Sequence, residues 1–189
     1  MTERHLVIVH ADESCLGNGR EGTNPGGAGG LIEYAGPRDG KLIRLDYWIS
    51  EPATTNNKMA LRSAIEALSI LSRKGNRLRV QFTSDSQYLV KGMREWVRSW
   101  KARGWRRKEG AIENLDLWQR LDQAAQLHDV DWNWVRGHNK HPQNEYADHL
   151  ATRAAREQTN SGGPIPSLYE EWLAAQRAKG RLADVSLND

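Results

Sequence analysis

The 189-residue chain carries 27 lysines and arginines against 24 acids, a net charge of +3, and 38% of its residues are hydrophobic. That length allows one domain with a full core and excludes two of ordinary size. No run of 18 apolar residues and no charged-then-apolar leader occurs, and the single cysteine, Cys15, excludes an internal disulfide, so the expectation is a soluble cytoplasmic protein with no membrane partner.

Residues 5–10 (HLVIVH) carry a short buried-strand signal, and residues 28–34 and 41–49 predict two further strands around the turn-rich AGPRDG. Together they predict an antiparallel meander. Residues 54–57 offer helix N-caps, after which Leu61, Ala64, Ile65, Leu68 and Leu71 recur at helical spacing. A strand over 78–83 leads into short helical segments from 86 to about 101. Residues 114–127 predict an amphipathic helix, 130–135 (VDWNWV) an alternating strand, and 143–156 a last core helix. The order βββ-α-β-α-α-β-α predicts an α/β fold, a mixed sheet flanked by helices. QTNSGGPIPS reads as a linker, and residues 167–181 as an extra helix, either folded back on the domain or free to dock a partner. The chain divides accordingly into a domain over 1–156 and a linker with helical extension over 157–189.

Three acids stand out. Asp12 and Asp85 lie at or near the ends of apolar runs, and Asp148 lies on a predicted helix. Magnesium binds oxygen, keeps several waters and takes one or two carboxylates per ion. Acids converging from separate elements suit a pair of such ions acting on a phosphodiester.

The motifs DESCLGN…NPGGAGG, TTNNKM, TSDSQY, WKARGW, ENLDLWQRL and WVRGHNKHPQNEYAD occur in this order. Together they resemble type 1 ribonuclease H of the bacterial kind over residues 5–156. The resemblance implies a ribonuclease H-like fold with a mixed five-stranded sheet. It also implies endonucleolytic hydrolysis of the RNA strand of RNA–DNA hybrids with two Mg2+ ions, or Mn2+ in their place. By it, Asp12 bridges the ions, Asp85 and Asp148 each hold one, and His138 assists proton movement or product release. A monomer is expected.

Three departures accompany the match. Where the family has a catalytic glutamate after TTNNxM, this chain has Ala60, an excellent first-turn helix residue with no oxygen to offer. Glu66 lies nearly two helical turns further on. An engineered inactivating change and a natural loss both fit. Either predicts severely weakened cleavage with hybrid binding retained, the natural loss making the chain a non-cleaving hybrid-binding module. Glu13 replaces a family glycine. Because successive strand side chains alternate faces, it is not expected to stand in for the missing acid. Residues 19–23 (GREGT) lengthen a loop whose GxGxxG spacing precedes turn and strand rather than a helix, which excludes a dinucleotide site. His138 and His141, three apart in a loop, lack a zinc-site context, and His141 and His149 are read as structural or exposed.

Residues 91–108 hold eight basic residues against Glu95, with Trp96, Trp100 and Trp105 interleaved. Lys101, Arg103 and the tryptophans read as a phosphate-binding ridge with flat surfaces for sugar or base. The resemblance makes this the family's basic protrusion. It assigns 2′-hydroxyl contacts to Asn18, Asn56 and Gln87, and a DNA-phosphate pocket to Thr55 and Asn114, with Ala53 where that pocket often has arginine.

Overall fold

The computed structural model describes residues 5–17, 24–137 and 140–182. Strands β1 (Leu6–Cys15), β2 (Asn24–Ala35) and β3 (Leu42–Thr54) form an antiparallel meander. β4 (Arg79–Ser84) joins β1 in parallel, and β5 (Asp129–Trp134) joins β4 in parallel. The sheet order is β5-β4-β1-β2-β3-β6. The sixth strand, β6 (Ile165–Pro166), is a two-residue pairing with β3 inside the expected linker, so the sheet has six strands rather than five. Composition marks a segment as turn-rich but does not say whether its few backbone groups meet a sheet edge.

β1 continues five residues past its predicted end. The polar ADESC stretch stays extended because Gly26–Gly30 of β2 supply a backbone ladder that ignores side-chain polarity. Asp12 therefore lies within the strand.

Two helices cover opposite faces of the sheet centre. Helix α1 (Asn56–Ser72) starts at Thr55, whose hydroxyl accepts the Lys58 N–H at 3.3 Å, and it buries Ala60, Leu61, Ala64 and Leu68 at helical spacing. Each fully buried leucine there contributes roughly 1.5–3 kcal/mol. Helix α5 (Pro142–Glu157) lies on the other face, against β1 and β2. It approaches unusually closely: a Cβ at Gly27 would stand 2.3 Å from the Ala151 carbonyl oxygen, and one at Gly29 2.5 Å from Leu150 Cβ. Between β4 and β5 run α2 (Gln87–Lys91), a π turn (Gly92–Trp96), α3 (Val97–Ala102) and α4 (Leu115–Gln126).

After α5 the chain folds back. Helix α6 (Tyr169–Ala178) sets Tyr169 and Leu173 against Leu31, Tyr146 and Leu150. Buried Asp46 fastens this packing, accepting from the Tyr146 hydroxyl at 2.6 Å and the Leu168 N–H at 3.2 Å. No helix among the described residues is long and apolar enough to cross a membrane.

Candidate metal centre

Register brings the acids together. β1 and β4 pair Ala11 with Ser84, so Asp12 and Asp85 follow side by side where the two parallel strands end their pairing. Asp12 pairs with Gly29, on the α5 face, and from that helix Asp148 adds its charge to the surroundings of Asp12. Glu13 pairs with Ala28 and emerges on the opposite face, the one carrying α1. One carboxylate oxygen each from Asp12, Glu13 and Asp85 lies within 4.8 Å of the others.

Glu13 nevertheless comes within reach of Asp12 and Asp85, which its direction along the strand did not foretell. Alternation does turn it away from Asp12, but toward the side on which position 60 sits. At the end of the strand pairing the two faces share one rim. Ala60 itself is buried in the core of α1. Sequence spacing alone missed Glu13; the usable signal was that β1 stays extended through ADESC opposite the GGAGG run of β2.

The electrostatics are those of a site short of positive charge. Burial, then the charges of Asp85, Glu13 and Asp148, push the Asp12 carboxyl up to about 9, although the Glu13 N–H donates to its Oδ1 at 2.7 Å. Burial and Asp85 push Glu13 up to about 8. Carboxyls so crowded hold protons at neutral pH unless a cation replaces them. The donors are all carboxylate oxygens, the set that hard divalent ions take, so the residues fit Mg2+ or Mn2+.

Asp85 is held from both ends. The Trp134 indole N–H donates to its carbonyl at 2.9 Å, and a Cβ on Gly137 would come within 2.2 Å of its Oδ2. The Asp148 carboxylate lies in reach of the Thr152 hydroxyl at 3.4 Å.

Of the other expected positions, His138 and Asn18 lie outside the described residues, as does the 19–23 loop. Thr55 is exposed at the α1 cap and Gln87 exposed at the start of α2. Asn56 is half-buried, its Oδ1 without a hydrogen-bond partner. Asn114 caps α4 in the left-handed region (φ 56°) and donates from Nδ2 to the Tyr88 hydroxyl at 3.2 Å. With Ala53, Lys58, Arg62 and Arg120 it borders a pocket of about 270 Å³. On the ridge, Arg103 is exposed and Lys101 pairs with Asp122 at 2.9 Å. Trp96 and Trp100 pack edge-on against Trp118, so they build the ridge's base, while Trp105 is half-buried at φ 62°. His141 caps α5 and packs against His10, which burial and His141 push down to about 3. His149 lies exposed beside Trp172.

Known proteins resemble this chain in sequence and fold. The RNase H family profile matches residues 4–156. Ribonuclease HI of Caulobacter vibrioides is 44% identical over 152 residues, covering 80% of this chain and 93% of the relative. Ribonuclease H of Alcanivorax borkumensis is 42% identical, over 83% and 96%. The crystal structure of LC9-RNase H1, described as a type 1 RNase H with the type 2 active-site motif, is 59% identical, with a TM-score of 0.88 over 96% of this chain and 87% of that one. The solution structure of the PFV RNase H domain, 17% identical, shares the fold with a TM-score of 0.66 over 82% of this chain and 97% of that one. From its acids, its sheet and these relatives, the chain belongs to the RNase H family.

Proposed function

We propose that the chain hydrolyses the RNA strand of RNA–DNA hybrids, with Asp12, Glu13, Asp85 and Asp148 as the residues that hold two Mg2+ or Mn2+ ions. The observation that carries this reading is the approach of the Glu13 carboxylate to Asp12 and Asp85 from the α1 side, within 4.8 Å. A relative that combines a type 1 fold with a type 2 active-site motif supports it, because an acid set can then differ from the family's usual one on the same fold. When bound, the ions supply an activated water and charge to stabilise the leaving oxygen.

The chain's own groups do the rest. Asp12 and Glu13 give up their protons to bind, and with Asp85 they fix the centre at the end of the β1–β4 pairing. Trp134 and Gly137 keep Asp85 from turning away. His138, beside Gly137 in sequence, takes part in proton movement or product release. Thr55, Asn114, Lys58 and Arg120 receive a DNA phosphate, the two cations standing in for the arginine absent at Ala53. Lys101, Arg103 and the Trp105 region grip the DNA strand, while Asn18, Asn56 and Gln87 read 2′-hydroxyls. The domain spans residues 1–156, and 157–189 form its extension; the protein acts in the cytoplasm as a monomer.

Ala60 favours a second reading, a hybrid-binding module that does not cut. Mg2+-dependent cleavage of a labelled hybrid, measured beside hybrid binding, separates the two. Cleavage by the chain that falls on Glu13→Gln supports the four-acid centre. Tight binding without cleavage, restored by Ala60→Glu, supports the silent form.

A further inference from the structure

Seven buried side-chain polar atoms lack a hydrogen-bond partner among the described residues, and three of them belong to His10, His141 and Asn144. His10 is on β1, two residues before Asp12 and on the same α5-facing side of the sheet. His141 immediately precedes α5, and Asn144 lies in the helix's first turn, on the face that also carries Asp148 four residues on. The strand and the helix run alongside each other, so Asp148 comes near enough to Asp12 to act on its charge while His141 comes against His10. The imidazoles are in contact, their ring centroids 5.2 Å apart and their planes tilted by 35°.

The free atoms are Nδ1 of both rings and Oδ1 of Asn144. On His10 a carboxylate stands behind the ring. Its Nε2 faces the Glu33 carboxylate at 3.8 Å, and Glu33 is anchored by Arg44 Nε at 2.6 Å. The separation from Nε2 is longer than a hydrogen bond, but the carboxylate's charge favours the proton on Nε2 and leaves the lone pair on Nδ1. A carboxylate behind an imidazole, with the opposite nitrogen free, is the usual support of a metal-ligating histidine.

The ring spacing also has meaning. With metal–nitrogen bonds of about 2.0–2.1 Å and a tetrahedral angle, two imidazoles on one ion have centroids roughly 5 Å apart. Nitrogen donors of this kind suit zinc and its neighbours, whereas magnesium takes oxygen alone.

We propose that His10, His141 and Asn144 form a transition-metal site for Zn2+, separate from the carboxylate centre, with one coordination position left for water. His10 and His141 bind through Nδ1 and Asn144 through Oδ1, while Glu33 orients His10 from behind. The site adjoins the acids through β1 and α5 but shares no ligand with them.

The test uses Co2+ as a spectroscopic probe, added to the full chain in excess Mg2+. A four-coordinate Co2+ ion with imidazole ligands absorbs visible light strongly, whereas Co2+ among carboxylates and waters does not. The proposal expects one equivalent of strongly absorbing Co2+, displaced by one equivalent of Zn2+ and unaffected by Mg2+. His141→Gln, at a half-buried helix cap, should weaken Co2+ affinity at least tenfold with its thermal midpoint preserved. His10→Gln should do the same, and Asp85→Asn should leave the absorption unchanged. Absence of the strong bands overturns the proposal. So does their survival in His141→Gln, or their loss in Asp85→Asn, which would place the ion among the acids.

Discussion

Helix α1 covers the face of the sheet toward which strand β1 turns Glu13, and the two elements differ in what they bring there. The helix presents Ala60, buried among leucines and unable to bind anything. The strand presents two consecutive acids, one to each face of the sheet. A helix residue reaches the rim of the sheet from above and can be exchanged for alanine without disturbing the backbone. Two strand neighbours reach it together only where the sheet ends its pairing and both faces border the same space. Position in a fold, rather than ancestry of a residue, decides which acid is available.

The comparison breaks most severely if Asp12 is changed. Asp12→Asn should cost on the order of 10³-fold or more in kcat, the several kcal/mol that a lost central ligand removes, measured as hybrid cleavage at saturating Mg2+. Glu13→Gln should cost about 100-fold; a rate within threefold of the parent chain would return the centre to three acids. Placing Glu13→Gln and Ala60→Glu in one chain asks whether strand and helix are interchangeable, and partial recovery of rate is expected. Ala60→Glu alone should instead lower stability by about 1–3 kcal/mol, read from denaturant unfolding, because it overfills a packed site.

The pH dependence sharpens the same contrast. Asp12 and Glu13, held near 9 and 8 in the folded metal-free chain, keep protons that the unfolded chain releases near pH 4. In that window the folded state binds more protons, so metal-free stability should fall as pH rises from about 4 to about 9. Mg2+ affinity should rise over the upper part of the same range, since the ion must displace those protons. Thermal midpoints with and without Mg2+ across the range check both signs, and a flat difference would deny the crowding of acids. The smallest effect should come from Gly137→Ala, which crowds Asp85 Oδ2 and should raise the Mg2+ concentration for half-maximal rate several-fold while kcat changes less.

Much of this was legible in the sequence. Hydrophobic alternation and helical spacing located the meander, α1, α4 and α5, because each buries one face against the sheet. Asp85 announced itself as a polar exit from an apolar strand. What stayed hidden depended on partners far along the chain. The length of β1 was set by the glycines of β2, and the direction of Glu13 followed from that length. The pairing of Ile165 with Asp46 left no trace in a segment composed like a linker. Trp96 and Trp100 carried a double meaning, and only their packing on Trp118 showed that they support the ridge.

The close seat of α5 on β2 has its own consequence. With a methyl group at Gly27, ordinary contact of about 3.5 Å would require a Cβ that now meets the Ala151 oxygen at 2.3 Å to retreat by about 1 Å. Asp148 rides on that helix while Asp12 rides on the sheet, so the retreat would pass directly into the gap between them. Two ions working about 3.5–4 Å apart tolerate little error of that size. Hydrogen atoms at positions 27 and 29 thus set how closely Asp148 can approach Asp12, and Gly27→Ala should weaken metal binding through a contact three residues along the helix from Asp148.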